Sequence, residues 1–336
     1  LCYGFGILAA NVPGPTLNTA AALQLAELSV PIALPLLLVT ADLKSWRHLA
    51  RPTLISLALA CVSAVTVAYG VGRLYAGELD EGWKVAGMLV GTYTGGTANM
   101  SAIGLALEVK RETFILLNAA DVVLGGLYFF FLLSLAQRVL LLFLPKFRDE
   151  LREGGGTWDE GVMPGPRQLA VNLAVSVVVL GVSAGLTLLL MGELFVPVLL
   201  LFITTFALAG STVSRIRALP GAWKLGEYLL LVFCVAIGSL ANLRTLADAD
   251  PRIFAFTAMV MLGAAALHFA LAAAFRLDAD TVVITSTATI FGPAFVGPVA
   301  QALKNRQLVI SGVTAGLIGF AVGNYLGLAT AYLLRP

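Results

Sequence analysis

Charge is what this sequence has least of: Asp, Glu, Lys and Arg make up 12% of its residues, about half of the roughly 25% carried by a soluble globular domain. Histidine occurs twice and cysteine three times. Cys2, Cys61 and Cys234 each lie inside an apolar run, with no CxxC spacing and no histidine nearby, which excludes a zinc site and a disulfide framework. The net charge is +2, and the basic residues are scattered between apolar runs, so nucleic acid is not an expected partner. No paired catalytic carboxylates, serine–histidine pair or metal motif can be read from the sequence. An intramembrane enzyme is therefore not expected, and no cofactor beyond a coupling ion is called for.

What the chain has in abundance is apolar length, 59% of 336 residues. A helix dissolved in water keeps one polar face, but most long segments here are apolar all the way round. The bilayer is then the solvent, and an all-α, polytopic membrane protein is predicted. A spanning helix needs roughly 20 apolar residues, which gives expected spans near 1–12, 19–42, 52–76, 112–136, 168–190, 195–214, 222–243, 251–275 and 307–334. Because the chain starts at Leu1, without methionine and within an apolar run, a further N-terminal piece is expected.

Two segments of spanning length, 83–107 and 280–303, are interrupted by small and polar residues, in GTYTGGTAN from Gly91 and TSTATIFGP from Thr285. Glycine and proline at those points oppose a continuous helix. The one polar stretch of any length, 146–167, reads as a solvated linker. It divides the chain into a first membrane repeat, 1–145 with a core at 52–136, and a second, 168–336 with a core at 251–334. The order of features supports a repeat: Ala41-Asp42-Leu43 and Ala241-Asn242-Leu243, then Pro52 and Pro251, then spans closing at Arg73 and Arg276. A broken segment follows in each, then Lys110 or Lys304, then a final helix. If both broken segments are re-entrant, one face collects about two thirds of the basic residues, as the positive-inside bias prefers. Re-entry also makes the two repeats antiparallel, the arrangement of many secondary transporters.

Non-helical backbone at membrane depth persists only where protein buries it or it lines a cavity. Both breaks should therefore face a site. Thr94, Gly95, Gly96 and Asn99 of the first and Thr287 and Thr289 of the second are the candidate solute-binding residues. Asp121, in LLNAADVVLGG, is the carboxylate placed nearest mid-membrane, where a charge is costly and marks function. Asn118 precedes it by three residues on the same helical face. With Thr92, Thr97 and Ser286 these form the candidate cation site. Pairing Lys110 with Lys304 sets Asp121 opposite Ala315, beside Thr314. Asn324, Tyr325 and His268 read as packing or interior residues, and His268 shows no evident partner.

At these motifs the sequence resembles the YjcL-like membrane proteins, domain-of-unknown-function family eight-one-nine, over essentially the whole chain. The resemblance is carried by Tyr93-Thr-Gly-Gly-Thr-Ala-Asn99-Met100, by Ala119-Ala120-Asp121 and by Gly319-Phe-Ala-Val-Gly323-Asn-Tyr-Leu-Gly327. The second broken motif departs from the family pattern, having Thr287, Thr289 and Phe291-Gly292 where two asparagines and paired glycines are usual. The family is grouped with the bile acid:sodium symporters and cation:proton antiporters. That kinship implies crossed discontinuous segments in a core that moves as an elevator, often in a homodimer. The expectation is Na⁺- or H⁺-coupled symport of a small organic anion or zwitterion across a bacterial inner membrane or that of an organelle of bacterial origin. A cation:proton antiporter without an organic solute is the alternative.

Overall fold

In the computed structural model, residues 2–11, 18–40, 43–75, 78–148, 165–240 and 251–336 are described. Asp42, Asn242 and most of the expected linker lie outside them. Among the described residues all regular structure is helical. In chain order the helices are α1 Cys2–Asn11, α2 Thr19–Val39, α3 Leu43–Leu74, α4 Gly82–Gly95, α5 Thr97–Ala106, α6 Arg111–Ser134 and α7 Ala136–Leu140. The second half supplies α8 Pro166–Met191, α9 Val196–Ser211, α10 Ser214–Arg217, α11 Ala222–Leu240, α12 Pro251–Ala274 and α13 Ala279–Ile290. A 3₁₀ turn at Pro293–Phe295, α14 Val296–Ala302 and α15 Leu308–Leu334 complete the chain.

Seven of these, α2, α3, α6, α8, α11, α12 and α15, are long and apolar enough to cross a membrane. The expected spans at 1–12 and 195–214 are helical but shorter. Local chemistry accounts for the helix ends. Pro166 opens α8, where its missing N–H would be an orphan in any case, and Gly192, with φ 77°, closes it. Asn18 caps α2 by accepting from the Ala21 N–H (3.1 Å), and Asp278 caps α13 by accepting from the Thr281 N–H (2.8 Å).

The chain forms two compact units, and each draws on both sequence halves. The first comprises Leu1–Leu49, Arg148–Ala241 and Ala300–Val313. Within it α2 packs on α11, where Gly226 lies against Leu37 and Ala33, and Ala33, Leu37 and Leu230 are fully covered. The buried positions of α8 are Asn172, Ser176, Ser183 and Thr187, spaced as one helical stripe of small or polar residues that lets helices approach. Asn172 donates to the Pro220 carbonyl (3.0 Å) and Ser176 to that of Ile32 (2.5 Å). The Arg306 guanidinium stacks 3.7 Å over the Trp223 ring.

The second unit comprises Ala50–Phe147, Asn242–Val299 and Thr314–Pro336, and it holds both broken segments. Every residue of α13 is buried, and so is α4 from Val85 to Gly95. These are short helices with no lipid-facing side, which is why their sequences carry no amphipathic stripe. Beyond Gly96 the chain folds back on itself. A Cβ placed on Gly91 would strike Asn99 and Ile103, and one on Gly104 would come within 3.2 Å of Met88, so α4 and α5 form an antiparallel helical hairpin.

Candidate functional site

The site begins with a backbone conformation that occurs twice. Gly96, between α4 and α5, has φ 94° and ψ 178°; Gly292, between α13 and the 3₁₀ turn, has φ 85° and ψ 178°. Positive φ with extended ψ is essentially open to glycine alone. The two corners also touch. A Cβ on Gly96 would stand 3.4 Å from the Phe291 carbonyl oxygen and 3.5 Å from the Gly292 nitrogen, and one on Gly292 would stand 3.7 Å from the Gly95 oxygen. The two interruptions therefore cross at their kinks.

Helix α15 runs past both. Its Gly316 abuts Pro293, Gly319 abuts the Thr94 carbonyl and Gly95, Gly323 abuts Asn99, and Gly327 abuts Gly87 and Gly91. Small residues three or four positions apart allow this backbone-to-backbone approach. The Asn99 amide nitrogen reaches the carbonyl oxygens of Gly91 and Gly319, each at 3.4 Å. On the other side α6 contributes bulk. Phe291 packs on Gly125 and stacks with Tyr128, and its ring centroid lies 5.3 Å from those of Phe129 and Phe295.

Asp121, on α6, is 7% exposed, and its Oδ1 accepts a hydrogen bond from the Tyr93 hydroxyl of α4 at 2.9 Å. That is the carboxylate's single hydrogen bond among the described residues. The threonines mostly turn inward on their own helices. Thr92 donates to the Met88 carbonyl, Thr94 to Val90, Thr287 to Val283 and Thr289 to Thr285, at 2.7 to 3.0 Å. With its hydrogen engaged, each hydroxyl presents only acceptor lone pairs to its surroundings. Ser286 instead pairs with the Tyr128 hydroxyl at 2.7 Å.

Two candidates from the sequence differ from the rest in exposure. Asn118 and Thr97 are exposed while Asp121 is buried. A three-residue step turns a side chain by about 60°, enough at a helix edge to separate a covered position from an open one. Of the other candidates, Thr92, Thr94, Gly95, Gly96, Asn99, Ser286, Thr287 and Thr289 are all buried in the unit that holds Asp121.

Three features were missed from the sequence. Gly292 follows Gly96, and Lys304 follows Glu108, by the same 196 positions (292 less 96, 304 less 108), with positive φ at all four. The offset of these positive-φ residues carries Asp121 to Leu317, whereas pairing Lys110 with Lys304 carries it to Ala315. Tyr93, the carboxylate's partner, was visible only as part of a motif. Finally, His268 of α12 is not partnerless: its Nε2 lies 3.0 Å from Ser56 Oγ, which lies 2.5 Å from Thr285 Oγ1.

A serine–histidine pair thus exists, contrary to the sequence reading. Thr285 Oγ1 also reaches the Thr281 carbonyl (2.9 Å), so the three side chains form one buried chain of polar contacts. Ser56 is 0% exposed and His268 2%.

At the outer end of the first hairpin, Glu81 takes a hydrogen bond from Lys84 (2.8 Å) and two from the Lys110 N–H (3.1 and 3.2 Å). Burial works to raise this carboxyl, but the bonds from Lys84, Thr113 and the Lys110 backbone outweigh it and hold the group below its usual range.

The family model described as "Protein of unknown function (DUF819)" matches residues 5–153 and 157–336. The "Uncharacterized membrane protein YjcL" of Bacillus subtilis (strain 168) is 25% identical over 321 residues, covering 89% of this chain and 80% of that protein. Together with seven helices of spanning length and composition, this identifies a multi-pass integral membrane protein. The chain, matched along nearly its whole length and in both halves, belongs to the DUF819 family.

Proposed function

We propose that the protein is a secondary active transporter that couples Na⁺ or H⁺ to the movement of a small organic anion or zwitterion. The observation that carries this reading is the pair of crossed glycine corners in the unit that also buries the Asp121 carboxylate. Such corners leave helix ends, with their unpaired N–H groups and partial charges, inside the protein at membrane depth. A membrane protein tolerates this where a polar passenger is handled.

In this reading Thr94, Gly95, Gly96 and Asn99 from the first break and Thr287 and Thr289 from the second contact the solute, and Asp121 takes up the coupling cation. Neutralising Asp121 lowers the cost of carrying a charge through the bilayer, so the unit holding the crossed breaks moves as an elevator only when loaded. The repeated order of elements and the equal spacing of positive-φ residues support two repeats, and the α4–α5 hairpin supports a re-entrant first segment. Four crossings per repeat joined by one further helix, α8, would invert the second repeat relative to the first. This is the architecture attributed above to the bile acid:sodium symporter and cation:proton antiporter superfamily, and we place the protein there as a homodimer in a bacterial inner membrane or an organelle membrane of bacterial origin. We assign it no enzymatic activity and no cofactor other than the ion.

The test is solute uptake into proteoliposomes under Na⁺ and pH gradients. Gradient-driven uptake is expected in the wild type and its loss in Asp121→Asn; full activity in that variant would remove Asp121 from the mechanism. The Asp121 carboxylate also suits a cation:proton antiporter. Acid or alkaline shifts inside vesicles on adding Na⁺ alone, with no solute, would favour that second reading.

A further inference from the structure

We infer that Tyr93 is the positioning residue through which the charge of Asp121 acts on the first break: the ionised carboxylate holds the last turn of α4 by the Tyr93 hydroxyl, and loading the carboxylate weakens that hold. This deepens the transport reading, on which it rests for taking Asp121 as the site of the coupling ion. Tyr93 of α4 and Asp121 of α6 lie in the same unit, and the phenol donates to Oδ1 at 2.9 Å. A hydrogen bond to an ionised carboxylate is roughly twice as strong as one between neutral groups. The strength of this contact therefore follows the charge on Asp121, which a bound H⁺ or Na⁺ cancels.

The turn that carries Tyr93 also carries Thr94 and Gly95 and ends at the Gly96 corner. Its threonines bond to their own helix, Thr92 donating to the Met88 carbonyl and Thr94 to that of Val90. Among the described residues, the Tyr93 hydroxyl thus makes the only side-chain hydrogen bond from this turn to another helix. Tyr93 is 2% exposed, so bulk water does not compete for the phenol. Of the ionisable groups on the helices packed against this pair, His268 of α12 is engaged with Ser56 and Asp280 of α13 with Gln137. Asp121 makes no ion pair among the described residues, so the phenol is the group that answers its charge.

The second break lacks this dependence. About two turns further along, α6 reaches α13 through Tyr128 and Ser286 (2.7 Å), and that pair of hydroxyls is neutral on both sides. Loading Asp121 therefore changes how firmly α6 holds α4 and leaves its hold on α13 as it was. The turn so affected packs its Thr94 carbonyl and Gly95 against Gly319 and Asn99. Backbone in such contact passes a displacement on, because no side-chain rotation can absorb it. Ion binding at Asp121 then alters the residues proposed to contact the solute, and a change at one site caused by occupancy of another is what coupling requires.

The experiment is hydrogen–deuterium exchange, read by peptide mass, on the purified full chain as wild type, Tyr93→Phe, Asp121→Asn and the double variant. An alkaline buffer with N-methylglucamine as its cation leaves Asp121 unloaded in the wild type. Asparagine keeps the acceptor oxygen and removes the charge, as a bound ion does. Exchange in residues 88–96 should rise about tenfold in Asp121→Asn, the difference between a charged and a neutral hydrogen bond, while residues 283–291 keep the wild-type rate. In the Tyr93→Phe background, itself faster than wild type, Asp121→Asn should add nothing. A wild-type rate for 88–96 in Asp121→Asn would reduce the contact to a structural bond and overturn the inference, because the amide oxygen still accepts from the phenol. An equal rise from Asp121→Asn in both backgrounds would overturn it too, since the charge would then act through another group. If the double variant does not fold, Asp121→Asn alone decides. Neither solute nor gradient enters the measurement, so absent uptake would sink the transport reading and leave this result standing, whereas gradient-driven uptake with unchanged exchange in Asp121→Asn would do the reverse.

Discussion

At the first break, glycines of α15 bring backbone against backbone and a single amide fills the centre, whereas at the second Pro293, Gly316 and a cluster of aromatic rings surround the same corner. The peptide torsions at Gly96 and Gly292 are nearly identical, so the kink itself does not depend on what packs around it. The difference lies in how each is held. Backbone atoms cannot repack, while rings can shift among rotamers. The first corner should therefore be intolerant of added atoms, and the second, although Gly316 abuts Pro293 on its α15 side, should be intolerant of removed atoms on its α6 side.

The sharpest way to break this comparison is to add one carbon on each side. Gly319→Ala drives its methyl into the Thr94 carbonyl, a clash between backbones, and should cost about 3 kcal/mol, the upper range for overpacking. Gly125→Ala places the same carbon 3.4 Å from a Phe291 ring carbon, an ordinary contact, and should leave the unfolding temperature nearly unchanged. Equal effects would mean that the two corners are held alike.

Removing atoms should reverse the order. Phe291→Ala opens a cavity against Tyr128, Phe129 and Phe295 and is expected to cost about 2–3 kcal/mol, at the low end for phenylalanine because the ring is only half-buried. Phe291→Leu should recover much of that loss if volume, and not aromatic geometry, holds the corner. Chemical or thermal unfolding in detergent reads both variants.

If the kink is independent of its surroundings, alanine at Gly96 and at Gly292 should carry similar penalties of about 2 kcal/mol each, set by the positive φ. The space around them is not the obstacle, since the nearest atoms are 3.4 Å away at Gly96 and 3.2 Å away, a flexible Phe320 ring edge, at Gly292. A much larger loss at one of them would show that packing contributes to the bend there.

The outer ends of the two broken segments give the smallest effects. Asp278→Ala removes a helix cap and should cost about 1 kcal/mol. Glu81→Gln should cost a similar amount near neutral pH, about 1 kcal/mol. Because the folded carboxyl lies below its unfolded value, its contribution is present above the unfolded value and fades as pH falls through the folded one. Wild type and Glu81→Gln should therefore converge in stability only in the acid range below ordinary carboxylate titration. A difference that persists there would assign the effect of Glu81 to packing.

Most of the helical order was readable because lipid imposes a simple rule of length and apolarity. The nine expected spans all correspond to helices, and both interruptions were located to within a few residues. Asp121 stood out because a carboxylate deep in an apolar helix is costly wherever that helix goes. Asn99 could be named as a polar residue near the break, but not as the group bridging Gly91 and Gly319, since 220 positions separate it from the second carbonyl. His268 and Ser56 are 212 positions apart, and neither has a local pattern that predicts the other.

Composition and the placement of glycine and proline determined that the chain is a multi-pass α-helical membrane protein with two interruptions, because backbone hydrogen bonding in lipid and the torsional limits of non-glycine residues are local constraints. Tertiary structure alone decided that the two corners cross, that Tyr93 meets Asp121 while Asn118 is exposed, and that the Asn99 amide lies between α4 and α15. Those outcomes depend on which helix faces lie against each other, and contacts between distant segments follow from packing geometry that no local spacing encodes.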